Sequence, residues 1–257
     1  MCGNSARNQN LAEGCRSPIK LSHGLTSAKM TSREHRVVVL ISGSGKPRTS
    51  GIRHPSDPNR HPGTNLQALI DAQGTQSLPN TNIVLVLSNR KAAYGLTRAR
   101  NADPPIPTQV LALQPYLKAN PGKTRDDYDC EVSKIVLAAS PDLVVLAGWM
   151  HVFSDTFLKE VEREDVPVIN IHPALPGAFD GVNSVQRAFD AFGRGEIDHS
   201  GVMVHKVIRE VDRGEPILVR KVEIKKEDSL EDFEQRLHQT EWGVIVEATK
   251  NVLESHR

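Results

Sequence analysis

The stretch Val37-Val38-Val39-Leu40-Ile41 is an unbroken run of large apolar residues, most of them β-branched. A strand with one face in water alternates apolar and polar residues, so an unbroken run predicts a strand that is buried on both faces. Such strands are typical of parallel sheets covered by helices on both sides. The stretch therefore indicates an α/β fold.

Strand-like and helix-like segments alternate from this stretch to about residue 193. Repeated strand–helix units of this length predict a doubly wound, mostly parallel sheet. The predicted strands are 82–87, 108–111, 142–147 and 168–172, and the predicted helices are 65–72, 95–102, 125–139 and 154–163.

The C-terminal part of the chain has a different pattern. Residues 201–208 and 216–222 are strand-like and are joined by only seven residues, 209–215. This connection is too short for a parallel crossover, so we expect an antiparallel C-terminal strand pair. A long C-terminal helix should follow Ser229, with Asp232 completing part of a capping box.

Two segments stand apart by composition. The net charge of the 257 residues is +1, but residues 1–36 carry +4 and residues 46–62 carry +3, so the remainder is mildly acidic. An acidic body argues against a broad nucleic-acid surface. We predict a disordered tail at 1–35 and one domain at 36–252, with a disordered, proline-rich insertion at 46–62 that interrupts a tight strand-to-helix turn.

The location of the protein is predicted from what the sequence lacks. No stretch approaches the roughly 20 apolar residues of a membrane helix, and the tail has no apolar core of a secretion signal. Three cysteines are too few for a disulfide framework. We expect a cytoplasmic protein, with a mitochondrial transit peptide as the open alternative because the tail is rich in Ser, Arg and Lys. Translation from Met30 is a further hypothesis.

Chemically active side chains gather where the strand 168–172 ends. Asn170 and His172 are two residues apart, so they point to the same side of the strand, and Pro173 follows. Open α/β sheets bind ligands at this end of their strands. Asp212, in a glycine-containing loop, adds a carboxylate. The set fits acyl transfer without a protein nucleophile; a capping asparagine, a half-buried histidine and a turn aspartate are the structural alternative.

A second candidate site is the turn after the first strand. Ser42-Gly43-Ser44-Gly45 and, after the insertion, Gly63-Thr64-Asn65 are small residues ahead of a helix, which favours phosphate binding. Glycine is also expected in any such turn. By pattern alone, a core histidine is the better interpretation of His205, and a position on a solvated helix face is the structural alternative for Glu241. No Cys/His cluster has metal-ligand spacing, so we expect no metal.

The chain resembles the phosphoribosylglycinamide formyltransferases, folate-dependent enzymes of purine synthesis, and is similar in particular to their fungal forms. The loop 174–181 departs from the bacterial pattern and looks fungal, and the chain ends without the extra domain of methionyl-tRNA formyltransferases. The similarity covers residues 36–250. The motifs that carry it are 38–45 with 64–68, 85–89, 141–150, 170–173 and 210–216.

The resemblance implies 10-formyltetrahydrofolate as co-substrate and small-molecule substrates, and the charge and hydropathy lead us to expect no nucleic acid or membrane. The sequence does not decide between a monomer and a homodimer. The resemblance also implies site residues. They are Asn170, His172 and Asp212 for catalysis; Gly45, Gly63, Thr64 and Asn65 for the substrate phosphate; Glu241 for the glycinamide; and Arg125, Met150, His151, Val152, Phe153 and Asn170 for the folate, largely through backbone in the segment 150–153.

Two other functions stay open at this point. A formyltetrahydrofolate hydrolase would use the same Asn-His-Asp set with water as nucleophile. A non-catalytic homologue would result if the insertion 46–62 is a real loop and not a retained intron. For the transferase, we expect Asp212 to raise the pKa of His172 towards the working pH.

Overall fold

The computed structural model describes residues 33–43 and 65–256, and within them the predicted strands form one sheet. The strands are β1 His35–Ile41, β2 Thr81–Ser88, β3 Thr108–Val110, β4 Leu143–Leu146, β5 Val168–His172, β6 His199–Lys206 and β7 Pro216–Glu223. Their order across the sheet is β3-β2-β1-β4-β5-β6-β7. The pairs from β3 to β5 are parallel, whereas β5-β6 and β6-β7 are antiparallel. The predicted α/β fold and the antiparallel C-terminal pair are therefore confirmed.

The helices of the described residues cover both faces of this sheet. They are α1 Asn65–Ala72, α2 Tyr94–Arg100, α3 Leu113–Ala119, α4 Arg125–Ala138, α5 Asp155–Arg163, α6 Ser184–Gly193 and α7 Leu230–Ser255. The long C-terminal helix is confirmed, and its capping box is complete: the Asp232 N–H donates to Ser229 Oγ, and the Ser229 N–H donates to the Asp232 carboxylate. Helices α3 and α6 were not predicted.

Strand β1 supports a hydrophobic core on each side of the sheet. Val37, Val39 and Ile41 belong to the core that α1, α2, α6 and α7 cover. Val38 and Leu40 belong to the other core, which α4 and α5 cover. Burial on both faces explains why the strand has no polar alternation.

The carboxyl ends of β1 and β4 are joined by hydrogen bonds. The Ser42 N–H donates to the Gly148 carbonyl at 3.0 Å, and the Met150 N–H donates to Ser42 Oγ at 2.8 Å. The strand order reverses between β1 and β4, because β2 and β3 lie on one side and β5 on the other. A crevice for ligands forms at such a reversal.

The predicted tail and insertion fall largely outside the description. Residues 46–62 lie outside it, as does the tail except residues 33–35, and His35 already belongs to β1. Their disorder and the extent of the domain stay predictions. Among the described residues, no helix combines the length and the apolar character needed to cross a membrane.

Candidate active site

Asp212 is the centre of a cluster at the carboxyl end of β5. Its Oδ1 accepts a hydrogen bond from Asn170 Nδ2 at 3.3 Å. Its Oδ2 lies 3.4 Å from His172 Nδ1 and accepts the Gly181 N–H at 2.8 Å. The structure thus brings together the three residues that the sequence singled out.

A close backbone approach gives Asp212 this position. In the loop between β6 and β7, a Cβ on Gly214 would lie 1.7 Å from the carbonyl oxygen of Lys206, so no other residue fits there. Asp212 itself adopts a φ of 56°, the left-handed region that Asp tolerates better than most residues. The loop therefore turns back over β6 and directs its carboxylate towards β5.

His205 is a fourth member of the cluster that sequence reasoning did not include. It is buried, as a core histidine should be, but it pairs directly with Asn170 across the β5–β6 ladder. Its Nδ1 is 2.8 Å from the Lys206 carbonyl and donates to it, so in the neutral ring Nε2 is an acceptor. That Nε2 lies 3.2 Å from Asn170 Nδ2 and 3.5 Å from Asp212 Oδ1.

The amide of Asn170 lies within reach of both His205 and Asp212. Asn170 Nδ2, His205 Nε2 and Asp212 Oδ1 form a nearly equilateral triangle with sides of 3.2, 3.3 and 3.5 Å. Both partners are within hydrogen-bond distance of the amide nitrogen, which carries two N–H donors. The amide therefore contributes the donors that face Asp212 and His205.

The pKa of His172 departs from the expectation. Burial lowers this pKa, and the opposing effects of Asp212 and of the Phe179 carbonyl, 3.3 Å from Nε2, do not overcome it. The expectation of a net increase was wrong because it omitted desolvation, which disfavours the imidazolium. His172 is therefore ready to accept a proton in the free protein.

For Asp212, neighbouring groups outweigh the effect of burial on the pKa. Burial pushes its pKa upwards, but the interaction with the His205 side chain, the hydrogen bond from the Gly181 N–H and the nearby His172 hold the pKa below its ordinary value. The carboxylate is thus ionised beside a neutral imidazole. Perturbed pKa values on neighbouring groups are typical of acid–base sites.

The segment 150–153 follows β4 at the same edge of the sheet. Met150 and Val152 are 61% and 49% exposed, which is high for large apolar residues. Arg125, the first residue of α4, donates a hydrogen bond to the Val152 carbonyl. Three of the predicted folate residues therefore face the same surface.

The other two residues of the segment point into the core. Phe153 is buried and stacks on Phe157, and the His151 ring lies 2.6 Å from the fully buried carboxylate of Asp129. The second oxygen of Asp129 accepts the Ser154 N–H at 2.7 Å. His151 and Phe153 are therefore placed to contribute to a pocket through their backbone only.

Glu241 is not on a solvated face. This residue of α7 is 7% exposed, and burial raises its pKa to about 8 although a hydrogen bond with Asn65 acts in the opposite direction. Asn65 is the first residue of α1, so α1 and α7 place an amide and a carboxyl group together. The carbonyl oxygen of the Asn65 side chain is itself buried without a partner among the described residues.

This burial predicts a pH-dependent gain of stability in Glu241→Gln. The folded pKa lies above the ordinary value of 4.5, so its stabilising effect is complete below pH 4.5 and is lost as the pH rises through about 8. The variant should therefore match wild type near pH 4.5 and exceed its free energy of unfolding at pH 8.5, by on the order of a few kcal/mol. Urea unfolding at both pH values measures the difference. Glu247→Gln, which removes an exposed carboxylate of the same helix paired with Arg220, is the control; a gain that does not depend on pH would contradict the assignment.

The rest of the predicted phosphate site is not described. Gly45, Gly63 and Thr64 lie outside the described residues, and Asn65 alone is placed. Within the described ranges, no group of three or more His, Cys, Asp or Glu side chains is arranged to hold a metal ion.

Comparison with known proteins identifies the class to which this fold and site belong. The family model described as formyl transferase matches residues 60–249, so the chain belongs to the formyl transferase family. A phosphoribosylglycinamide formyltransferase of Dictyostelium discoideum is 48% identical over 192 residues, which are 73% of this chain and 92% of the relative. The enzyme of the same name from Schizosaccharomyces pombe is 42% identical over 223 residues, 86% of this chain and 98% of the relative.

The likeness extends to a solved structure. The glycinamide ribonucleotide transformylase 1 of Symbiobacterium toebii superposes with a TM-score of 0.69 at 30% identity, over 86% of this chain and 89% of that protein. Within the formyl transferase family, the similarity is thus to the phosphoribosylglycinamide branch, including its fungal members.

Proposed function

We propose that this chain transfers a formyl group from 10-formyltetrahydrofolate to the amine of 5′-phosphoribosylglycinamide in purine synthesis. The observation that carries the proposal is the convergence of Asn170, His172 and Asp212 at the carboxyl end of β5, within 3.3–3.4 Å of one another through Asp212. Membership of the formyl transferase family and the names of the relatives support the choice of substrates.

The reaction needs no nucleophile from the protein. The amine attacks the formyl carbon, a C–N bond forms, and the carbonyl oxygen becomes an oxyanion in a tetrahedral intermediate. The bond between that carbon and N10 then breaks, while the proton that the amine loses is delivered to N10. The protein must therefore stabilise an oxyanion and move one proton.

The cluster can do both. In the proposed mechanism, an N–H of Asn170 donates to the oxyanion as a preorganised donor. Neutral His172 accepts the proton of the amine, and negative charge that develops on the neighbouring oxygen raises the pKa of the ring at the moment of transfer. Asp212 orients the ring and favours its protonated form. General acid–base help of this kind contributes about 10²–10⁴ in rate.

The substrates are assigned to the two sides of this cluster. The exposed surface of Met150, Val152 and Arg125 is proposed to bind the folate, with the backbone of His151 and Phe153 and with Asn170 at the reacting end. The helix N-terminus at Asn65, with Gly45, Gly63 and Thr64, is proposed to bind the phosphate. Glu241 beside Asn65 is proposed to contact the glycinamide. A cytoplasmic location, the absence of nucleic-acid, membrane or metal binding, and the state of monomer or homodimer stay predictions of the sequence.

One assay tests the proposal directly. The protein is incubated with 10-formyltetrahydrofolate, with and without the ribonucleotide, and loss of the formyl group is followed by absorbance. We expect loss only when the ribonucleotide is present, in step with formation of the formylated product. Loss without the ribonucleotide would indicate a hydrolase, and no loss under either condition would indicate a non-catalytic protein.

A further inference from the structure

The turn Phe179–Gly181 presents two backbone groups to the catalytic cluster. The Phe179 carbonyl lies 3.3 Å from His172 Nε2, and the Gly181 N–H donates to Asp212 Oδ2 at 2.8 Å. Both residues adopt left-handed backbone conformations, with φ of 52° and 79°. For a bulky residue such as Phe179 this conformation is sterically unfavourable and persists only when the surroundings hold it.

Two arginines bind this turn. Arg187, on α6, donates from one guanidinium nitrogen to the Phe179 carbonyl at 2.6 Å and to the Asp180 carbonyl at 2.5 Å. The guanidinium also lies 5.9 Å from the centre of the Phe179 ring. Arg213, which follows Asp212 in the chain, pairs with the Asp180 carboxylate at 2.5 Å.

We propose that Arg187 is a positioning residue for the catalytic cluster: by holding two successive carbonyls, it keeps the Phe179 oxygen towards His172 and the Gly181 N–H towards Asp212. Arg187 contacts neither catalytic side chain, so it acts through the turn. The catalytic consequence rests on the proposed formyl transfer, whereas the positioning itself does not.

The contacts of the turn predict how its release would change the pKa values of His172 and Asp212. The groups that face His172 are Asp212, Asp180 and His205, and those that face Asp212 are His172 and His205. The Phe179 carbonyl raises the pKa of His172, and the Gly181 N–H lowers the pKa of Asp212. Release of the turn should therefore lower the pKa of His172 and raise that of Asp212. Loss of a cation alone would instead raise the pKa of His172, so the sign separates the two explanations.

The first test is an NMR titration of His172 without substrate, in protein labelled at histidine. In Arg187→Met, we expect the midpoint of His172 to fall by about half to one pH unit, the effect of losing one hydrogen bond. Arg187→Lys retains the charge and reaches fewer carbonyls, so its shift should be smaller and of the same sign. If Arg187→Met does not fold, the His172 midpoint in Arg187→Lys tests the proposal.

Arg36→Met is the matched control. Arg36 also donates to two successive carbonyls, those of Ala139 and Ser140, but near the amino end of β1, away from the catalytic cluster. Its removal should leave the midpoint of His172 unchanged. An unchanged or raised midpoint in Arg187→Met, or an equal fall in Arg36→Met, would overturn the proposal.

Kinetics provide the second test. Arg187→Met should lower kcat on the order of tenfold, because misplaced catalytic groups slow the reaction more than they weaken binding. KM for both substrates should stay near the wild-type values. If wild type shows no formyl transfer while the midpoint of His172 still falls in Arg187→Met, the proposed function fails and the positioning stands. A fall of the midpoint with unchanged kcat would remove the catalytic role of Arg187.

Discussion

Asp212→Asn is expected to lower kcat by about 10²–10⁴ while KM for both substrates changes little. The carboxylate faces hydrogen-bond donors on both of its oxygens, from Asn170 and from Gly181, and it lies beside the rings of His172 and His205. An amide has only one acceptor oxygen. Its N–H₂ group must therefore face one of the two donors, Asn170 or Gly181, from which the carboxylate accepted a hydrogen bond. It also carries no charge to stabilise a protonated His172. The variant therefore loses the support for proton transfer.

The substitution is informative because the loop should survive it. Asn tolerates the left-handed conformation that residue 212 adopts, at a φ of 56°. Asp142→Asn is a suitable control, because Asp142 also accepts a backbone N–H, that of Arg36 at 2.7 Å, and lies at the amino end of the sheet. It should leave kcat unchanged. Equal losses of kcat and of substrate binding in Asp212→Asn would show that Asp212 only shapes its loop.

The parts of the fold that could be predicted are those in which local pattern and burial agree. Unbroken apolar runs located the central strands because these strands are buried on both faces, and Ser229 with Asp232 located the start of α7. Helix α3 is only seven residues long and contains Pro115, so its one turn of apolar spacing was too short to distinguish from a loop. Helix α6 was missed although a signal existed: Val185, Phe189 and Phe192 recur at helical spacing.

Some residues of the candidate site could be predicted from local pattern, and others depend on how distant strands pair. Asn170 and His172 could be paired from the sequence because alternation along a strand is a local rule. His205 could not be added, because its place opposite Asn170 depends on the register of β6 against β5. Glu241 was misjudged although a signal existed: it follows Leu237 by four residues and precedes Val244 by three, which places it on the apolar face of α7.

Asn170→Asp should be more damaging than removal of the amide. The side chains are nearly equal in shape, but the new oxygen would take the place of Asn170 Nδ2, 3.3 Å from Asp212 Oδ1 and 3.2 Å from His205 Nε2, and so would face two acceptors. Two carboxylates at this distance cannot both ionise freely, so one retains a proton and Asp212 no longer acts as a fixed anion. The N–H that would stabilise the oxyanion is also lost. We expect kcat to fall by about 10³ or more, since loss of one such donor alone costs about 10²–10³.

Asn170→Ala separates the two causes of this loss. It removes the donor without adding a carboxylate, so its kcat should fall less than that of Asn170→Asp, and steady-state kinetics of both variants at one pH measure the difference. At lower pH, protonation of the carboxyl pair should relieve part of the repulsion in Asn170→Asp and none of the loss in Asn170→Ala. Equal kcat values for the two variants across the pH range would mean that charge at this position is irrelevant to the transition state. Asn170 would then serve only to hold Asp212 and His205 in place, because an oxyanion that forms beside residue 170 must respond to a negative charge there.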